Sequence, residues 1–244
     1  MITDKKSYIK NFLLALILTF VTLNANSQII SNYEIPFEKI DSSKFEKWIA
    51  KNKSDYQGFY HLGFSEREYT LFIAFAGDTC FAQLRWGEFI GNNWIQYFQS
   101  FDKIKILGNK LISEDLYAEF AILNRDGKKI KGIILSRPQA WQQGKYPPEF
   151  GSHDPAIYLF FDGKFPQASY QLLTIKELQQ ISSQDLKIMR NEIYARYGYK
   201  FVLNGEMDKY FKSQEWYIPR NNNVDSIITG LEKINIELIR LIEK

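Results

Sequence analysis

Cysteine is almost absent: Cys80 is the one thiol in 244 residues, so no intramolecular disulfide can form and stability must come from packing. Histidine is nearly as scarce, with only His61 and His153. That leaves little for imidazole general-base chemistry, and the adjacent pair His153-Asp154 lacks a third ligand, so it reads as a loop histidine beside a turn aspartate. Phosphate-cradling glycine loops, paired zinc-ligand spacings and the serine nucleophile elbow are missing as well. No metal and no cofactor is expected. Cys80 falls in phase with Ala82 and Leu84, which marks it as core instead of an exposed nucleophile. Charge of one sign is also lacking. Without residues 1–27, which hold three lysines and one aspartate, 28 basic residues face 27 acidic ones, so no overall field draws in nucleic acid.

The apolar run Phe12–Leu23 spans twelve residues, two of them threonine, against the roughly twenty that a membrane span needs. Lys5, Lys6 and Lys10 precede it, and Asn24-Ala25-Asn26-Ser27 follows with small residues where a signal peptidase reads. This pattern predicts a signal peptide over 1–27 and a chain that is soluble and secreted or periplasmic after cleavage. No cysteine follows the cleavage site to carry a lipid. No integral span is expected in the remaining 217 or so residues, enough for one large or two small domains.

From Gln57 to Phe161 the apolar pattern has period two. Tyr69, Leu71, Ile73 and Phe75 alternate with Thr70, Phe72, Ala74 and Ala76, and Cys80, Ala82, Leu84 and Trp86 with Thr79, Phe81, Gln83 and Arg85. Gly77-Asp78, Gly108-Asn109 and Asp126-Gly127 supply hairpin turns. The order predicts an antiparallel β meander that closes into a curled sheet or small barrel, with a sandwich as the alternative. A short helix is expected at Ser43-x-x-Glu46, with Phe45, Trp48 and Ile49 on one face. Arg137–Pro155 reads as a Pro, Gly and Gln-rich loop, and Ala156–Phe161 as a last strand.

The C-terminal part reads as helical. Thr174-x-x-Glu177, Ser182-x-x-Asp185 and Thr229-x-x-Glu232 are capping-box spacings. The run from Ser183 to Tyr197 places Leu186, Met189, Ile193 and Tyr197 on one stripe, stopped by Gly198. The last run places Leu231, Ile234, Leu238 and Leu241 together, and a shorter helix opens near Asn204-Gly205. The fold class is thus α+β, with a β domain over 28–165, a linker over 166–173 and an all-helical domain over 174–244.

Within that last part the chain reads Arg190-Asn191-Glu192-Ile193-Tyr194-Ala195-Arg196-Tyr197-Gly198-Tyr199, followed by Tyr210-Phe211 and Trp216-Tyr217-Ile218-Pro219. This string resembles the YARHG domain, a bacterial module of extracellular type without an established activity. The resemblance covers about 174–244 and implies an envelope or extracellular setting. Tyr197 stands where the family motif has histidine, so packing or hydrogen bonding fits this position better than acid–base or metal chemistry. Arg190 and Arg196 flank the apolar stripe, and Glu192 lies four residues before Arg196, in the favourable order for a helix pair. The alternative is that a guanidinium grips a ligand carboxylate or phosphate beside Tyr194 and Tyr199.

Aromatic residues are the one surplus: 19 Phe, 15 Tyr and 5 Trp. Rings left outside the core suit sugar or peptide partners, and Trp86, Trp94, Tyr97 and Trp141 are candidates in the β part, with Trp216 and Tyr217 in the helical part. Arg125, Lys128, Lys129 and Lys131 form a basic hairpin tip that either guards a strand edge or touches an anionic polymer. The functional expectation is a non-catalytic protein that binds a cell-wall glycan, a peptide or another envelope component. Two alternatives stand beside it: an envelope hydrolase with paired carboxylates, and a lipocalin-like carrier of an apolar ligand.

Overall fold

A computed structural model describes residues 41–62, 69–91, 93–136 and 148–243. The expected signal peptide and Trp141 lie outside the described residues. Nine strands form one antiparallel sheet: β1 (Phe45–Lys47), β2 (Gly58–Leu62), β3 (Tyr69–Ala76), β4 (Thr79–Ile90), β5 (Asn93–Leu107), β6 (Lys110–Ile112), β7 (Tyr117–Arg125), β8 (Lys128–Ser136) and β9 (Glu149–Asp154). Strands β2 to β8 follow the meander, and β9 inserts between β8 and β2. Because β7 also pairs β8, strands β2–β9 close into an eight-stranded barrel. Short β6 covers Tyr117–Glu119 of β7, and β1 takes the same edge farther along, at Ala121–Leu123.

The hairpin turns fall where the sequence places them. At the β7–β8 turn Asp126 and Gly127 both have positive φ, 50° and 74°, the backbone of a tight turn whose twist matches the strands it joins. Strands β3 and β4 bury both faces. Leu71, Ile73, Phe75, Cys80, Ala82 and Leu84 point into the barrel, whereas Phe72, Ala74 and Phe81 pack outside it with Phe59, Ile157, Phe161 and Leu231. This double coverage explains why the residues alternating with the inner set are themselves apolar.

The barrel interior is filled by side chains. Tyr56 stacks on Phe120 with centroids 3.7 Å apart, and Trp48 meets Tyr56 edge-on at 5.0 Å. Tyr60, Leu71, Ile73, Leu84, Leu111, Ala118, Phe120 and Ile133 are all wholly buried. These side chains, closed to a water-sized probe, pack the described part of the interior at the density of a core.

Two expectations for the β part are corrected. Ser42–Lys44 is a single 3₁₀ turn, capped by Asp41 through a 3.0 Å bond from the Ser43 amide, and Phe45–Lys47 is strand. The open edge of β7 competes successfully for these residues, and Trp48 N–H continues the pairing to Phe120 O at 3.1 Å. Likewise, Ile157–Phe160 is a 3₁₀ turn, and the closing strand is Glu149–Asp154, within the stretch read as loop. Small residues on both β8 and β9 are what closure needs. A Cβ on Gly132 would sit 2.2 Å from Gly151 O, and one on Gly151 would sit 2.8 Å from Leu62.

The C-terminal part contains α1 (Ile175–Leu178), α2 (Ser183–Arg196), α3 (Glu206–Lys212) and α4 (Gly230–Glu243). Thr174 and Glu177 cap each other's amides, and Ser182 Oγ accepts from Asp185 N–H. Leu186, Met189, Ile193 and Tyr197 are buried along α2 as the stripe requires. Gly198, at φ 69°, ends the helix: its N–H reaches Ala195 O and that of Tyr199 reaches Tyr194 O.

Helix α4 turns a different face inward. Leu231, Glu232, Asn235, Ile236 and Ile239 are buried, while Ile234 and Leu241 are exposed. Polar groups decide this rotation. Asn235 donates to Ala168 O and Gln171 O and accepts from Leu173 N–H, holding segment 166–173 against the helix. Glu232 closes a capping box with Thr229.

Gly163 has φ 107°, and a Cβ there would lie 1.3 Å from Glu192 Oε1. Gly163→Ala is expected to cost about 3 kcal/mol in urea denaturation through backbone strain plus overpacking. Gly91→Ala, at φ 62° but with nothing within 4 Å, is expected to cost only about 1 kcal/mol. Arg190 grips Glu243 through two bonds of 2.7 and 3.0 Å, tying α2 to the end of α4, and this holds the Glu243 carboxyl below its ordinary range. A depressed folded-state pKa contributes stability above the unfolded value and loses it as pH falls through the folded one. Glu243→Gln should therefore lower stability by about 1 kcal/mol at neutral pH and converge on the parent protein in acid, as denaturation at several pH values will read.

Candidate functional site

The outer face of β4 and β5 carries polar residues against the helices. Gln83 is fully buried, and its Nε2 donates to Ile227 O at 2.7 Å and to Tyr197 Oη at 2.8 Å. Tyr197 O–H donates onward to Glu232 Oε2 at 2.7 Å, and Thr229 gives that same oxygen its N–H and O–H, both at 2.9 Å. Arg85 Nε donates to Gln83 Oε1 at 2.8 Å. One hydrogen-bonded chain thus runs from β4 through the end of α2 to the start of α4.

Arg85 is 7% exposed, and rings surround its guanidinium: Phe161, Phe59, Phe72 and Phe98 have centroids 4.5, 4.9, 5.3 and 5.8 Å away. Their negative faces offset part of the cost of burying the cation. Burial pulls the Arg85 pKa down, opposed by the neighbouring Tyr197 and Glu232. Among the described residues its Nη atoms meet no hydrogen-bond acceptor. Arg196 is more fully engaged: it donates to Asp162 O, Ser169 Oγ and Glu192 Oε1 at 2.7, 2.9 and 3.0 Å.

Between these groups lies a cavity of about 50 Å³, lined by Arg85, Gln96, Phe98, Phe160, Phe161, Asp162, Arg196, Tyr197 and Glu232. Glu232 Oε1 is buried there without a hydrogen-bond partner among the described residues. An unmet acceptor in a low-dielectric site is costly to leave empty-handed. Arg85 and Glu232 thus offer donors and an acceptor to a small group seated between them, with phenylalanine rings as walls.

Only part of the residue set singled out in the sequence converges here. Arg196 and Tyr197 line the cavity; Arg190 is committed to Glu243. Tyr194 accepts from Arg240 at 3.3 Å and meets Tyr199 at 5.8 Å. Tyr217 is buried and donates to Tyr199 O at 2.6 Å, with Trp216 and Phe211 packed beside it. Trp86 is held between Tyr69 and Tyr97 at 6.2 and 5.7 Å. Trp94 is 38% exposed beside Phe89. Arg85, Gln83 and Glu232 were missed. The available signal was two polar side chains, Gln83 and Arg85, alternating with the apolar inward set Ala82, Leu84 and Trp86.

Other chemistry-bearing groups are occupied in the scaffold. Burial inside the barrel pushes the Cys80 thiol up to about 12. His153 lies on β9, its ring nitrogen 2.9 Å from Gln57 O, and burial lowers its pKa. Glu192 is a carboxyl raised above its usual range, by burial, yet it is enclosed by Arg196 and the Phe165 amide instead of facing a cleft. Among the described residues no three His, Cys, Asp or Glu side chains are placed to hold a metal, and no helix is long and apolar enough to cross a membrane.

Tyr197→Phe removes the link between Gln83 and Glu232 and is expected to destabilise by about 2 kcal/mol in urea denaturation. Tyr194→Phe, at a half-buried hydroxyl, should stay within about half a kcal/mol of the parent.

Comparison with curated proteins and with solved structures gives no match. A family model does match: residues 164–244 correspond to the YARHG domain. The match begins at 164, ahead of the 174 read from the motif, and so takes in Phe165 and the 166–173 segment docked on α4. The C-terminal third of the chain thus matches the YARHG domain.

Proposed function

We propose that this is an exported, non-catalytic binding protein of the bacterial cell envelope, secreted or periplasmic after cleavage near residue 27. Its barrel (28–165) and helical (174–244) parts, joined through 166–173, hold a ligand's end in the cavity between them. The observation that carries this reading is the pairing of Arg85 with the unpartnered Glu232 Oε1 across about 50 Å³. A space of that size accepts a terminal group, not the body of a polymer. A peptide end suits it. Its carboxylate would take the Arg85 Nη donors, and the preceding amide N–H would satisfy Glu232 Oε1. The volume favours a small last residue such as alanine or glycine, with Phe98 and Phe160 as walls.

Titration calorimetry with dialanine and with its C-terminal amide tests this directly. The acid is expected to bind, and the amide roughly tenfold or more weakly, since it loses the charge-assisted contact. Arg85→Gln should remove the preference. Phe160→Ala, at the half-exposed rim, should weaken binding without unfolding the protein. Equal behaviour of acid and amide, or no heat from either, rejects the proposal.

A further inference from the structure

The residues that line the junction cavity differ in exposure along its length. Glu232, Tyr197, Arg85 and Phe161 are buried, whereas Phe160 reaches the surface and Gln96 and Asp162 are exposed. The space therefore has a closed end at Glu232 and a mouth beside Asp162. Of the lining residues at that mouth only Asp162 is charged, and its carboxylate meets no hydrogen-bond or ion-pair partner among the described residues. Its backbone is nevertheless clamped. Arg196 Nε donates to Asp162 O at 2.7 Å, and Gly163, at φ 107°, follows where a Cβ would collide with the Glu192 carboxylate.

Charge sets a requirement on what enters. Arg196 is matched by Glu192 at 3.0 Å, which leaves Arg85 with two carboxylates, those of Glu232 and Asp162, along the same cavity. A carboxylate seated on Arg85 adds a third negative group around that one cation, in a space partly closed to water, where like charges repel more strongly than in bulk. Tyr197 and Thr229 satisfy one oxygen of Glu232, but no donor reaches the Asp162 side chain. A ligand that brings its own cation to the mouth restores the balance. The ring centroid of Phe161 lies 4.5 Å from the Arg85 guanidinium, and Asp162 is the next residue. An extended dipeptide spans about 7 Å, so its far end comes to the rim when its carboxylate is on Arg85.

We propose that Asp162 selects an ammonium group on the same ligand, carried by the residue that precedes the carboxylate-bearing one. This rests on the reading of the cavity as a site for a peptide end, and adds the second charge that the ligand must carry. Two sources supply such a group: the free N-terminus of a dipeptide, or a lysine-type side chain on the penultimate residue of a longer peptide. Both set three N–H donors against a carboxylate that has received none.

Titration calorimetry with dialanine, N-acetyl-dialanine and N-acetyl-lysylalanine tests the proposal. N-acetyl-dialanine is expected to bind roughly three- to fivefold more weakly than a ligand with the ammonium, the scale of an exposed ion pair, and the gap should narrow in high salt. Stronger binding of dialanine assigns the ammonium to the chain end, and stronger binding of N-acetyl-lysylalanine assigns it to the side chain. Asp162→Asn should close the gap, Asp162→Glu should keep most of it, and circular dichroism should stay unchanged because the structural contact of residue 162 is made by its backbone oxygen. Equal binding of all three acids, with dialanine still preferred over its C-terminal amide, overturns this proposal and leaves the peptide-end reading standing. A gap that survives Asp162→Asn overturns it too, since the cation is then held elsewhere. No binding by any of the three overturns both.

Discussion

The buried hydrogen-bond chain from Gln83 through Tyr197 to Glu232 is the constraint on which the arrangement of barrel and helices depends. Apolar packing between a sheet and a helical bundle tolerates sliding, because area is nearly indifferent to register. Three polar side chains that must meet without water do not. Gln83 fixes the position of α2's end over β4, Glu232 then fixes the rotation of α4, and Asn235, on the same face of α4, fixes segment 166–173. The face of α4 that looks apolar in the sequence stays partly exposed because this polar network outweighs it.

The same logic separates what was legible in the sequence from what was not. Strands β3 and β4, the glycine-marked turns and helix α2 with its caps were readable because their determinants are local: alternation, a turn dipeptide, a capping spacing. Closure by β9 was not. Glu149–Asp154 carries no strand signal of its own, and what makes it a strand is two open edges contributed by residues far away in sequence. The 3₁₀ turn at Ser42–Lys44 was misread for a similar reason, since the edge of β7 recruits the residues that follow it. In the site, Arg196 and Tyr197 could be found by motif. Arg85 and Glu232 are partners only after folding, and no spacing announces them.

Most of the motif's arginines and rings are used for cohesion. Arg190 and Arg196 each hold a carboxylate, and Tyr199, Trp216 and Tyr217 pack with Phe201 and Phe211. Where the helical part meets the barrel, a cationic side chain from β4 and an acidic one from α4 face a common space. A tyrosine in place of the motif histidine suits that position. Its hydroxyl both accepts and donates, and it stays neutral, because burial and the adjacent Glu232 push its pKa well above the usual phenol range.

Barrel closure by β9 bears on how the molecule is made. Strand β2 pairs with β3 almost as soon as both exist, but its other edge waits for residues that come roughly ninety positions later, Phe59 meeting Asp154. A nascent chain therefore carries an unsatisfied row of amides and carbonyls on β2 through much of its synthesis, joined by that of β8 shortly before β9 arrives. Long loop closure of this kind slows folding and lengthens exposure to wrong pairings. The sheet cannot lock until its final strand has been delivered.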